Sequence, residues 1–118
     1  RGADVLILDA QYDRAEHEEH IGWGHGCVDD VVAVALKAGV KRLFLFHHDP
    51  DHDDAKIDIM LAHARKLVTE QKSNLQVDAA TEGVVVELAR VGKCFPTMKM
   101  SAAAEVAACA KLLSGLVR

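Results

Sequence analysis

The chain lacks the features that mark several common protein classes. Its 14 basic side chains form no cluster and are outnumbered by 18 acidic ones, so the sequence shows no evident patch for a nucleic-acid backbone. Its apolar runs fall far short of the roughly 20 residues that cross a bilayer. It contains no internal repeat and no low-complexity segment. These absences favour a globular domain without a membrane partner.

Cysteine is scarce and irregularly placed. Cys27, Cys94 and Cys109 form an odd set without a Cys-x-x-Cys spacing. This pattern favours reduced, partly buried thiols over a disulfide framework or a zinc–cysteine site. No signal peptide is visible either. We therefore expect a cytoplasmic protein.

The length of 118 residues is enough for one small domain. Half of the residues are hydrophobic, so a real core can form, with roughly two-thirds of the unfolded surface buried. The chain begins at Arg1 rather than at a methionine, and an apolar run follows within a few residues. We expect it to be a piece of a longer chain.

Hydrophobic periodicity predicts alternating strands and helices. Short apolar runs, rich in β-branched residues, predict strands at residues 4–8, 43–46, 75–79 and 84–88. Helices between strands indicate parallel pairing with right-handed crossovers. The predicted fold class is therefore α/β, with the order β-α-β-α-β-β and an additional C-terminal helix.

Helix boundaries can also be predicted from the sequence. An apolar stripe begins at Val28, and Gly39 is a suitable C-terminal stop. Asp53 or Asp54 can cap the following helix, which we expect to end within residues 71–74. The polar segment 11–20 is compatible with either a short exposed helix or a loop.

The last part of the chain differs in composition. Residues 91–100 indicate a loop or linker, and an alanine-rich stripe from Ser101 to Arg118 predicts a helix. We expect residues 1–90 to form one domain and residues 91–118 to be a linker and a helix of unassigned role. That helix could pack on the domain, on a missing part of the chain, or on a partner, in which case it could support a homo-oligomer.

Polar residues follow two of the predicted strands. Asp9 ends the first, and His47 opens a loop rich in histidine and aspartate after the second. If these strands are parallel neighbours, both residues emerge at the same edge of the sheet, where α/β proteins bind ligands. His25 can reach that edge from the glycine-rich loop Gly22–Gly26. One carboxylate and two imidazoles suit a metal with acid–base groups around it; simple solvation of these side chains is the alternative.

The neighbouring residues have simpler interpretations. We expect His17 and His20 on a solvated surface, although two such histidines on a helix could share a metal. Trp23 is predicted to be a packing anchor rather than a platform for a nucleobase. His48 and Asp49 either support the site or are solvated. The end of the loop is predicted to be a solvated helix start, formed by Asp51, His52, Asp53 and Asp54.

Four segments, taken in order, resemble the C-terminal half of metallo-β-lactamase-fold hydrolases. They are residues 3–12, 22–25, 38–50 and 81–83. Within that superfamily the chain is most similar to the phosphodiesterase-like branch near ribonuclease Z and the phosphoribosyl cyclic phosphate phosphodiesterases. The resemblance covers about residues 1–89. It implies a four-layer αββα sandwich, of which this chain would be about one half.

The resemblance also implies a role for each candidate residue. His47 matches the final metal-binding histidine, and Asp9 matches an acidic residue that works with a histidine in proton transfer. His25 matches that histidine, a proton donor to the leaving oxygen. Two divalent metal ions are implied, with zinc first and manganese or iron as alternatives. The implied substrate is a small-molecule phosphodiester, a cyclic phosphate or a nucleotide-like compound.

One part of the family pattern is absent from the sequence. No His-x-His-x-Asp-His motif occurs in the 118 residues, and His47 alone cannot hold two metals. We therefore expect a metal-dependent hydrolase in the complete protein and an inactive fragment when these residues stand alone. The alternative is a metal-free binding or oligomerisation module that uses the C-terminal helix.

Overall fold

A computed structural model of the chain describes residues 1–88. The elements are β1 (Val5–Asp9), α1 (Arg14–Glu19), α2 (Val28–Ala38), β2 (Arg42–Phe46), α3 (Asp54–Glu70) and β3 (Gln76–Ala79). The three strands form one parallel sheet in the order β1-β2-β3, which confirms the α/β class. The predicted linker and C-terminal helix at residues 91–118 lie outside the described residues.

The core lies between the sheet and the helices α2 and α3. Leu43 and Leu45 of the central strand are fully buried there, against Val32 of α2 and Ala64 of α3. Side chains alternate along a strand, so the next residues point to the other face. On that other face Phe44 is buried and Phe46, at the end of the strand, is exposed. Burial of one face fixes the register, in which Asp9 of β1 lies beside Phe46 of β2.

The predicted helix boundaries are confirmed. Gly39 ends α2 in the left-handed conformation, with a φ of 62°, as a C-terminal stop requires. Asp53, one of the two predicted caps, begins α3 by accepting a hydrogen bond from the backbone N–H of Lys56. Within the segment 11–20, residues 14–19 form the short helix α1, where Asp13 and Glu16 make a reciprocal capping box.

The predicted fourth strand is wrong. Residues 84–88 form no strand, and Val84 and Val85 are exposed. A strand needs a partner for its backbone groups. Gly83, with a φ of 80°, turns the chain away after β3. The order among residues 1–88 is therefore β-α-α-β-α-β rather than β-α-β-α-β-β. None of the helices described in this range is long and apolar enough to span a membrane.

Candidate functional site

Asp9 is held in place by three hydrogen bonds at the carboxyl end of β1. Its Oδ1 accepts the backbone N–H groups of Gly26, at 2.9 Å, and Gln11, at 3.3 Å. Its Oδ2 lies 2.9 Å from Nδ1 of His25. Partial burial raises the pKa of Asp9, but the bonds from His25 and the two backbone N–H groups outweigh it, so the pKa lies below its usual value. The carboxylate is therefore ionised at neutral pH and fixes the His25 ring.

The loop that carries His25 lies against β1 because residue 26 is glycine. A Cβ atom at Gly26 would stand 2.0 Å from the backbone oxygen of Asp9. The backbone N–H of Tyr12 donates to the oxygen of Gly26 at 3.2 Å, and Val28 donates to Tyr12 at 3.0 Å. These bonds form an isolated parallel bridge between Tyr12 and Cys27. The close approach of the Gly26 backbone to the Asp9 backbone therefore determines the position of His25.

His47 follows β2 in an unusual backbone conformation. Its φ is 60°, in the left-handed region that residues other than glycine rarely adopt. Its Nδ1 lies 3.0 Å from Oε1 of Gln11 and 3.5 Å from Oδ2 of Asp9. The His47 ring stacks on the His25 ring, with centroids 4.9 Å apart and planes 12° apart. The structure thus brings the three predicted site residues Asp9, His25 and His47 together.

Gln11 is a site residue that the sequence analysis missed. Its side chain is only 6% exposed and spans the cluster. Its amide Nε2 donates to Asp49 Oδ2 at 2.7 Å, while its Oε1 accepts from His47. Gln11 stands two residues after Asp9, the spacing at which side chains share one face of an extended chain. That spacing could have indicated that Gln11 belongs to the site. The residues that follow Gln11 are also polar, so it was not distinguished from them.

The other loop histidines differ in their surroundings. Nε2 of His48 is buried, and no described residue forms a hydrogen bond with it. The prediction that His52 is solvated is wrong, since its side chain is 9% exposed and its Nε2 lies 2.9 Å from Oε1 of Glu16. Lys56 binds the same carboxylate oxygen at 2.9 Å. The loop is therefore fastened to α1 by Glu16.

The prediction of Trp23 as a packing anchor is also wrong. Its side chain is 67% exposed. It meets the ring of His20 at a centroid distance of 4.5 Å and an angle of 76°. His20, expected on a solvated surface, is half-buried and stacks on Tyr12 at 4.7 Å. Its Nδ1 donates to the backbone oxygen of Glu16 at 2.7 Å.

A second group of potential metal ligands is less suited to a cation. His17, Cys27 and Asp30 offer ligand atoms within 4.8 Å of one another. Arg14 already pairs with Asp30 at 2.8 Å, and its charge would oppose a metal ion. Burial raises the pKa of the Cys27 thiol, which disfavours the thiolate that a metal needs. This group is an ion-paired surface beside a buried thiol.

Asp9, His25 and His47 form the more suitable donor set. Each offers one ligand atom, and these atoms lie within 4.8 Å of one another. A carboxylate with imidazoles suits zinc and similar divalent ions. The fold and the site together define a parallel α/β domain with a metal-capable carboxylate–imidazole cluster at the carboxyl edge of its sheet.

Comparison with known proteins identifies relatives. The chain is 32% identical over 84 residues to Ribonuclease Z of Picrophilus torridus, covering 67% of this chain and 26% of that protein. It is 43% identical over 54 residues to Ribonuclease Z of Sulfurisphaera tokodaii, covering 46% and 18%. It is 29% identical over 90 residues to Ribonuclease Z of Myxococcus xanthus, covering 75% and 27%. No protein-family model matches the chain.

These relatives confirm the resemblance to metallo-β-lactamase-fold hydrolases near ribonuclease Z. The chain spans about a quarter of the length of the Picrophilus torridus and Myxococcus xanthus proteins, at 26% and 27%. The similarity therefore concerns one portion of such proteins. The name of the relatives describes enzymes that act on RNA rather than on a small molecule.

Proposed function

We propose that the chain is part of a metal-dependent hydrolase of the metallo-β-lactamase superfamily that cleaves phosphodiester bonds in RNA. The observation that carries the proposal is the contact among Asp9, His25 and His47, in a chain related to ribonuclease Z. The relatives favour RNA over the small-molecule substrate suggested by the sequence alone. The three-stranded sheet would be one half of the αββα sandwich, and we propose the cytoplasm as its location.

The cluster would hold a divalent metal mainly through His47. Its Nδ1 is engaged by Gln11, so Nε2 is the nitrogen that can bind a metal. Zinc suits an imidazole ligand best, with manganese or iron as alternatives. Two ions would need further ligands, which we place in other parts of a longer chain. When bound, such ions lower the pKa of water and stabilise the charge on a phosphate.

His25 and Asp9 would handle the proton. The Asp9 carboxylate accepts Nδ1–H of His25, which orients the ring and leaves Nε2 to exchange a proton with the substrate. Protonated His25 would donate from Nε2 to the leaving oxygen, and the negative charge on Asp9 would stabilise the imidazolium. Asp9 itself stays ionised, because its pKa lies below the usual carboxyl value.

Three single substitutions test this proposal in the complete protein that contains the chain. His47→Ala should remove both bound metal, measured by elemental analysis, and hydrolysis of an RNA substrate. His25→Ala should lower hydrolysis by about 100-fold or more while metal content is kept. His63→Ala, at a partly exposed position on α3, is the matched control. Unchanged metal content and hydrolysis in His47→Ala would show that the site assignment is wrong.

The metal-free binding or oligomerisation module remains the alternative. Its predicted interface helix lies beyond residue 88, outside the described residues. Elemental analysis and light scattering distinguish the module from the metal-dependent hydrolase. A monodisperse, metal-free oligomer of the complete protein without hydrolytic activity would support the module. A metal-loaded protein that cleaves RNA would exclude it.

A further inference from the structure

Five rings lie in sequence from an exposed loop to the candidate site. Trp23 contacts His20 at 4.5 Å between centroids, and His20 stacks on Tyr12 at 4.7 Å. Tyr12 meets His25 edge-on at 5.9 Å, and His25 stacks on His47 at 4.9 Å. We call this series the ring ladder. It joins an accessible indole to the metal-capable cluster through direct contacts.

The rings below Trp23 are held by burial, hydrogen bonds and stacking. Tyr12 is buried. Its backbone N–H donates to the oxygen of Gly26, and its backbone oxygen accepts from the N–H of Val28. His20 is held by its bond to the backbone oxygen of Glu16 and by stacking on Tyr12. Trp23 thus projects from a supported position rather than from a free loop tip. A preorganised aromatic loses little entropy when it binds a ligand.

The exposure of Trp23 to water is energetically unfavourable. Trp23 is 67% exposed, although a tryptophan side chain is among the largest apolar groups to leave in water. Gly22 and Gly24, with φ values of 91° and 88°, shape the backbone on both sides of it. An exposed aromatic beside a polar site is typical of a stacking contact with a flat ligand.

The charge around the loop decides which part of a nucleotide would be bound there. Glu18 and Glu19 end α1 just before the loop and are exposed. Carboxylates repel phosphate groups, and the chain as a whole carries a net charge of −4. A neutral base can stack on an indole without meeting this repulsion. The loop therefore favours the nucleobase over the backbone phosphate.

We propose that Trp23 stacks on a nucleobase of the RNA substrate, next to the phosphodiester placed at Asp9, His25 and His47. This inference rests on the proposed function and adds a base contact to it. Stacking on an aromatic ring tolerates any base, so Trp23 would strengthen binding without reading sequence. The phosphate would be held at the metal site, and the base by Trp23.

Fluorescence tests the contact without relying on catalysis. Trp23 is the only tryptophan among the 118 residues, so indole emission of this chain reports on that loop alone. Adenosine monophosphate should quench the emission in a saturable manner, and ribose 5-phosphate, which lacks the base, should not. N-acetyltryptophanamide, measured in parallel, corrects for collisional quenching and absorption. Equal effects of the two ligands, or quenching no greater than that of N-acetyltryptophanamide, would overturn the proposal.

Kinetics of the complete protein provide the second measurement. Trp23→Ala should raise KM on the order of 10-fold for a base-bearing dinucleotide, with little change in kcat. It should leave KM unchanged for the matched dinucleotide that lacks the base nearest the scissile bond. Trp23→Phe should recover most of the affinity. Ile21→Ala, at a similarly exposed position two residues earlier, is the control.

The outcomes separate this inference from the proposed function. If Trp23→Ala weakens both dinucleotides equally, the residue has a structural role and the base contact is wrong. If hydrolysis is normal and Trp23→Ala has no effect, the base contact alone fails. If no variant hydrolyses RNA but adenosine monophosphate still quenches Trp23 specifically, the proposed function fails and the base contact stands.

Discussion

The side-chain oxygen of Gln11 lies 3.0 Å from Nδ1 of His47. On its other side, the Gln11 amide nitrogen lies 2.7 Å from Oδ2 of Asp49. The hydrogen bond from Gln11 holds the pKa of Asp49 below its usual value, so this carboxylate only accepts. The amide NH2 must then face Asp49 and the amide oxygen must face His47. An amide oxygen cannot donate, so Nδ1 of His47 carries a proton and the neutral ring keeps its lone pair on Nε2.

This relationship makes Gln11 a positioning residue for His47. Gln11→Leu keeps the approximate size of the side chain but removes the acceptor that orients the ring. We expect metal affinity of the complete protein to fall about 10- to 100-fold, as for other partners of metal-binding histidines. Competition with a chelator measures it. Gln71→Leu, at the exposed end of α3, should leave metal affinity unchanged. A normal affinity in Gln11→Leu would refute the positioning role.

Gly26 is predicted to be the least replaceable glycine of the loop. In Gly26→Ala the new methyl group would meet the backbone oxygen of Asp9 at 2.0 Å, so the loop must move. We expect a loss of about 1–3 kcal/mol in the free energy of unfolding, measured with urea, together with loss of the His25–Asp9 contact.

Gly24→Ala is the matched control for that loss. A Cβ at Gly24 has no neighbour within 4 Å, but the φ of 88° adds strain of about 1 kcal/mol. Gly26→Ala should therefore be the more damaging substitution, and it should also lower hydrolysis in the complete protein. Equal losses of stability in the two variants would contradict the close-approach explanation.

Acid should weaken the attachment of α3 to α1. Burial raises the pKa values of Asp13 and Glu16, but backbone hydrogen bonds and Lys56 lower both by more, to below the ordinary 3.8 and 4.5. A depressed carboxyl pKa stabilises the folded state above the unfolded value, and this stabilisation is lost as pH falls through the folded value. The free energy of unfolding should therefore fall as pH drops below about 5.

Lys56→Gln should reduce that acid dependence. The substitution removes the cation shared by Asp13 and Glu16, at a cost of about 1 kcal/mol at neutral pH. Urea unfolding between pH 3 and pH 7 measures it. Lys66→Gln, an exposed lysine on the same helix, is the control and should keep the wild-type profile. Identical profiles in all three proteins would show that this ion pair does not govern the acid response.

The central strand should dominate stability. Leu43 is fully buried between the sheet and the helices, so Leu43→Ala leaves a cavity and should cost about 2–5 kcal/mol. Ile59→Ala, on the exposed side of α3, removes comparable apolar volume and should cost less than about 0.5 kcal/mol. Urea unfolding compares them. Similar losses would mean that β2 does not form the core.

Local patterns were sufficient for most of the fold. Apolar runs predict the strands that end at Asp9 and Phe46, although β2 is buried at its centre and β1 is only partly covered. Gly39 stops α2 because it tolerates a positive φ. Strand ends and the glycine-rich loop also predict Asp9, His25 and His47 at one edge of the sheet, and the distances among them agree. The roles of these residues in catalysis stay predictions, because distances alone do not establish chemistry.

The sequence by itself determined the parallel α/β class and the positions of Asp9 and His47 at strand ends. Only the tertiary structure decided that Gln11 is buried, that the His52 side chain is mostly covered, that Trp23 is exposed, and that residues 84–88 form no strand. Periodicity along the chain specifies which side of an element a residue occupies. Burial, hydrogen bonding and strand pairing depend on what lies opposite in space, and that partner comes from a distant part of the chain.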